Sequence, residues 1–242
     1  MPYLSVIFYL LISGTALSAQ SVLTDSLTLT DSSRQRLVPV RTYQSASGGA
    51  TKPLSVALIS HGYGGHNTDY SFIANLLANK GYYVVSIQHG MPGDEPLPTS
   101  GNAREVRRPN WERGVQTMRF VLTSLKQTYP QLNVQSVLLI GHSNGGDQSM
   151  LYAQTYPADV AAVISLDSRR MPFPRAKRPN VLSIRSSDQV ADEGVLPTPD
   201  EQRTYGTTLL NMNIRHNDMW DGATPDQKRD IAEAMACFLC TL

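Results

Sequence analysis

The chain has 242 residues, 41% of them hydrophobic and 17% charged, too apolar for a disordered chain and too evenly mixed for a fibrous one. Lys and Arg total 21 against 20 Asp and Glu, so the formal net charge of +1 provides no single-signed field to draw the chain onto nucleic acid. Two cysteines are too few for a disulfide scaffold, and the length suits one α/β domain.

Residues 1–19 read as a secretory signal. An almost unbroken apolar run from Tyr3 to Ile12 leads into the small residues Ser13, Gly14, Thr15, Ala16, Ser18 and Ala19. The run is too short to span a bilayer, and no Lys or Arg precedes it. Cleavage near Ala19 starts a mature chain at Gln20, with no cysteine there for a lipid anchor. The expected location is therefore secreted or periplasmic, with no stable membrane anchor, and residues 20–242 are expected to form a single domain.

Short runs of Val, Ile and Leu then alternate with segments of helical period, the pattern of a buried parallel sheet wrapped by helices. Leu27–Thr30 and Leu37–Tyr43 are predicted strands, followed by an exit loop from Gln44 to Lys52. Leu54–Ser60 is a predicted buried strand running into His61-Gly62-Tyr63-Gly64-Gly65. Tyr70–Lys80 shows a helical apolar face and stops at Gly81, and Tyr82–Ile87 is the next strand. Residues 90–110 carry four prolines and three glycines and are expected to be irregular, after which Pro109 opens a helix. Val134–Ile140, Val160–Leu166, Asn180–Ile184 and Leu209–Ile214 complete eight predicted strands, with a helix over Asn144–Tyr156. Thr224-Pro225-Asp226-Gln227 starts a final helix with a capping box.

Gly141-His142-Ser143-Asn144-Gly145-Gly146 lies directly between a predicted strand and a predicted helix. This is the G-x-S-x-G elbow in its required context, where a tight turn exposes the serine hydroxyl above the sheet and the helix dipole faces the site. A glycine-rich turn with a helix-capping serine is the plainer alternative. Acyl transfer to Ser143 needs oxyanion donors, and the backbone N–H groups of Asn144 and Tyr63 are placed to supply them, with Gly64 as the alternative to Tyr63. The base must follow the serine and an acid in chain order, which selects His216. His61, His66, His89 and His142 fall in turns and loops and are expected to be structural or solvent-facing. For the acid, Asp188 is preferred because it follows the strand next to the last one, while Asp167 and Asp192 remain open.

Metal chemistry has little support. Cys237 and Cys240 sit in the last amphipathic helix with no second pair, and are expected to be buried small apolar side chains. The basic run Arg169-Arg170, Arg175, Lys177-Arg178 is expected to be a solvated loop, with recognition of an anionic substrate as the alternative.

With its elbow and ordered Ser, acid and His, the chain resembles the α/β-hydrolases over nearly all of its predicted mature length. Asp31–Val40 and His61–Gly65 resemble the bacterial dienelactone hydrolase and platelet-activating-factor acetylhydrolase-like group of serine esterases. The resemblance implies an eight-stranded, mostly parallel sheet flanked by helices, a covalent acyl-serine intermediate and no cofactor. Dienelactone hydrolases proper use a cysteine nucleophile, so Ser143 points to general carboxylic-ester cleavage of a small-molecule or lipid-like ester. A peptidase or amidase, an acyltransferase, and a catalytically silent binding protein are the alternatives. Only a short segment separates Leu166 from the next strand, so no large cap domain is expected and the site is expected to be open, roofed at most by residues 90–110.

Overall fold

The computed structural model describes residues 21–46 and 54–242, so the expected signal segment and most of the first exit loop lie outside the described residues. The chain begins with an antiparallel hairpin, β1 (Val22–Asp31) and β2 (Arg36–Ser45). It continues through β3 (Leu54–Ser60), α1 (Ser71–Asn79), β4 (Tyr83–Ile87), α2 (Ala103–Val106), α3 (Arg108–Thr128) and β5 (Leu132–His142). The second half contains α4 (Asn144–Thr155), β6 (Val160–Leu166), β7 (Asn180–Arg185), α5 (Pro199–Tyr205), β8 (Thr208–Asn211) and α6 (Pro225–Leu239).

All eight strands join one sheet in the order β1-β2-β4-β3-β5-β6-β7-β8. The β1–β2 and β2–β4 pairs are antiparallel and every other pair is parallel. Successive side chains of a strand face opposite ways, so the unbroken run Val137-Leu138-Leu139-Ile140 can serve two cores at once. Val137 and Leu139 pack with Met118 and Val121 of α3 and Met150 and Tyr152 of α4. Leu138 and Ile140 pack with Ile73 and Leu77 of α1 and Ile231 and Met235 of α6. Each such side chain contributes about 1.5–3 kcal/mol on full burial. This three-layer arrangement fixes β5 in the middle of the sheet, and the carboxyl ends of β3, β5, β6 and β7 emerge along one edge.

Several expectations need revision. The last strand ends at Asn211 rather than at residue 214, because the following segment leaves the sheet and bonds back to β7 through Met212 N–H to Arg185 O and Ser187 N–H to Ile214 O. Residues 90–110 are irregular only in part, since α2 interrupts them. The seven-residue α5 was not expected, although Thr198-Pro199-Asp200-Glu201 forms a capping box of the same kind as the one that starts α6. Cys237 and Cys240 are exposed, not buried, because they lie off the Ile231–Met235–Phe238 stripe that α6 turns inward. Residues 167–179, between β6 and β7, contain no helix, so no cap domain is inserted there.

Candidate active site

The elbow needs its glycines for space. A Cβ on Gly141 would lie 2.3 Å from Gly145 O, and one on Gly145 would lie 2.2 Å from Ser60 O, both inside contact distance. Only bare backbone lets β3, β5 and the start of α4 approach this closely. Between the two glycines Ser143 adopts φ 52° and ψ −118°, a conformation costly for a side-chain-bearing residue.

His216 lies in a short turn after β8, and its Nε2 is 3.0 Å from Ser143 Oγ. Its Nδ1 is 2.6 Å from Asp167 Oδ2, not from Asp188. Asp167 is the first residue after β6, and its φ of 54° turns the carboxylate toward the imidazole. Asp188 lies beyond β7 and its Oδ1 accepts the backbone N–H of His216 at 2.7 Å, so it holds the main chain of the base and leaves the ring to Asp167. Asp192 pairs with Arg170 at 2.7 Å. The expected acid therefore shifts from Asp188 to Asp167. A carboxylate directly at a strand end reaches the ring, whereas one three residues further on has already turned toward solvent.

Asp167 is fully buried, which alone pushes its pKa up. Bonds from the His216 ring and from the Ser186 hydroxyl and N–H outweigh this, together with the Arg185 guanidinium at 2.7 Å, and hold it below the usual carboxylate range. The Arg185 approach is a close ion pair without hydrogen-bond alignment, while its other terminal nitrogen donates to Ser168 O at 2.7 Å.

A second buried chain of hydrogen bonds runs behind the triad. His142 Nε2 is 3.0 Å from His216 O, a carbonyl that can only accept, so Nε2 carries the proton. His142 Nδ1 then accepts from the Tyr70 hydroxyl at 2.7 Å, and the Tyr70 oxygen accepts the N–H of Gly62 at 3.2 Å. Burial, then the neighbouring His216, drives His142 down to about 3, so it is neutral. Nothing in the sequence motif pointed to this link between the base and the 61–65 turn.

Among the described residues no acceptor takes the backbone N–H of Tyr63 or of Asn144. The N–H of Asn144 is one of the unsatisfied donors that every helix start presents. The Tyr63 side chain is exposed and its hydroxyl accepts the N–H of Leu97 at 3.0 Å, tying the 90–107 segment to this turn. The Asn144 side chain accepts from Trp111 Nε1 at 2.8 Å and donates to Asn110 Oδ1 at 2.9 Å.

His61 and His89 are buried and hydrogen-bonded within the fold, and His66 is exposed. The basic run after β6 is largely engaged within the fold: Arg169 bonds Gln189, Arg170 pairs with Asp192, and Arg175 pairs with Glu201 and caps carbonyls. No cluster of three metal-ligating side chains occurs among the described residues.

The family described as serine aminopeptidase, S33, matches residues 51–168. No curated protein matches the sequence. Among solved structures, a dienelactone hydrolase-like promiscuous phosphotriesterase from metagenomic libraries superposes with a TM-score of 0.67 at 18% identity, covering 91% of this chain and 98% of that one. A fungal esterase from Rhizomucor miehei gives 0.66 at 11% identity, covering 93% of this chain and 84% of its own. A ferulic acid esterase from Streptomyces cinnamoneus gives 0.57 at 18% identity, over 83% and 74%.

Proposed function

We propose that this chain, whose eight-stranded sheet has the α/β-hydrolase fold, is a member of that superfamily and a serine hydrolase of carboxylic esters. The carrying observation is the unbroken line from Ser143 Oγ to His216 Nε2 at 3.0 Å and from His216 Nδ1 to Asp167 Oδ2 at 2.6 Å. Ser143 Oγ attacks the ester carbonyl while its proton passes to His216 Nε2. Asp167 fixes the ring with Nδ1 protonated and stabilises the imidazolium. The N–H groups of Tyr63 and Asn144 donate to the oxyanion of the tetrahedral intermediate. Its collapse breaks the C–O bond to the alcohol, whose oxygen takes the proton from His216. Water, deprotonated by His216, then attacks the acyl-serine, and the carboxylic acid leaves with Ser143 reprotonated.

Ser143→Ala is expected to lower kcat on 4-nitrophenyl acetate by at least about 10⁴-fold, as removal of a nucleophile does in other triads. Parental turnover in that variant would reject the assignment. The description of the matching family supports a second reading, an aminopeptidase, which turnover of amino-acid anilides in preference to esters would establish. The apolar leader with small residues behind it supports action outside the cytoplasm, and an exported protein whose mass begins near Gln20 is the expected finding.

A further inference from the structure

The two oxyanion donors of the proposed mechanism come from different elements, Tyr63 from the turn after β3 and Asn144 from the start of α4. β3 and β5 pair only as far as Ser60 opposite Gly141, three residues short of each donor. Sheet hydrogen bonds between these strands therefore do not set the distance between the two N–H groups. An oxyanion must receive both at about 2.7–3.1 Å, so their separation bears directly on catalysis.

The side chains of the two donors are joined by another route. The Tyr63 hydroxyl accepts the N–H of Leu97 at 3.0 Å. Pro98 O accepts Arg107 Nε at 3.0 Å, which closes the intervening loop and α2 on themselves. Arg107 O accepts the N–H of Trp111 at 3.2 Å, and Trp111 Nε1 donates to Asn144 Oδ1 at 2.8 Å. An indole nitrogen can only donate, so the Asn144 amide has one orientation. Its nitrogen donates to Asn110 Oδ1 at 2.9 Å, a second bond to the same stretch.

Both ends of this stretch are anchored by burial, since Leu97 and Trp111 are buried. Among the described residues 97–111, Asn110 alone lines the cavity of about 520 Å³ whose wall includes Tyr63 and Asn144. The remaining links hold the donors from outside that cavity.

We infer that residues 97–111 form a brace that sets the spacing of the oxyanion hole, with Arg107 and Trp111 as positioning residues and the Tyr63 hydroxyl as the attachment to the first donor. This rests on the reading of Ser143 as an ester-cleaving nucleophile. Misplacing a reacting group by about 1 Å costs on the order of 100-fold, and cutting one link of the brace permits part of such a shift. Tyr63→Phe keeps the backbone N–H, and Arg107→Met keeps the length of the side-chain stem. Each is expected to lower kcat on phenyl acetate by about tenfold with KM unchanged.

Each is also expected to weaken inhibition by trifluoroacetophenone by about tenfold, because this ketone reports on the same hole. Ser143 Oγ adds to its carbonyl carbon, the hydroxyl proton passes to His216, and the carbonyl oxygen becomes an oxyanion. A role confined to stability lowers the active fraction and leaves that affinity unchanged. Arg107→Lys retains a donor for Pro98 O and is expected to restore both kcat and ketone affinity. Tyr63→Phe combined with Arg107→Met is expected to cost about tenfold in total rather than about 100-fold, because both cut one chain of bonds. Parental kcat in either single variant, additive losses in the double variant, or a fall in kcat without loss of ketone affinity overturns the brace, while parental turnover of phenyl acetate leaves the esterase reading standing. A parent protein that does not turn over phenyl acetate overturns both.

Discussion

His216 is held at four atoms. Asp167 and Ser143 engage the ring, Asp188 accepts its N–H, and His142 donates to its carbonyl. The two aspartates therefore separate experimentally. Asp167→Asn leaves the imidazole without its anionic partner and is expected to lower kcat by about 10⁴-fold. Asp188→Asn loosens one backbone bond and is expected to cost about tenfold, the equivalent of a single charge-assisted hydrogen bond. Steady-state kinetics on one ester distinguishes them, and the reverse ranking would restore Asp188 as the acid. Chain order and strand ends made Ser143 and His216 legible but left the acid among three candidates, because the deciding quantity is the backbone angle of 54° at Asp167, and no residue type at that position announces it. Tyr70→Phe cuts the link from Gly62 to His142. It is expected to lower kcat by about tenfold with KM unchanged, the signature of an interaction realised in the transition state.

At the scale of elements, the elbow is a joint between two strands and a helix with no room for a methyl group. Gly145→Ala pushes a Cβ into the Ser60 carbonyl and is expected to destabilise the fold by about 3 kcal/mol, read from urea midpoints. Unchanged stability would show that the joint can spread. The central strands were legible in the sequence because both their faces are buried, which gives unbroken apolar runs. The edge strand β8 has an exposed and half-exposed pattern and borrows its apparent length from Met212 and Ile214, which leave the sheet. Helix α5 went unread for the opposite reason. Its capping box was present, but seven residues without a buried side chain give no periodicity to detect.

For the whole molecule, one acid gives folding a distinctive dependence on pH. Asp147, in the first turn of α4, accepts the N–H groups of Arg170 and Met171 at 3.0 Å each and clamps the segment that follows the triad acid. Burial pushes it from an ordinary 3.8 up to about 6, against those bonds and the nearby Arg169. The folded protein thus holds this proton more tightly than the unfolded chain. The resulting stability is full below pH 4 and disappears as pH rises through 6, a change of about 3 kcal/mol. The parent is expected to lose stability between about pH 4 and 6 relative to Asp147→Asn, measured as the difference in denaturation midpoints. Parallel curves for the two proteins would refute this.

The proposed catalytic residues do not hang from equally secure supports. Ser143 closes the central strand β5, whereas His216 follows β8, a four-residue strand at the rim of the sheet. Rims open before centres do. Warming is therefore expected to part the base from an intact nucleophile first, so that thermal inactivation begins as a reversible loss of alignment while the sheet's circular dichroism is still unchanged.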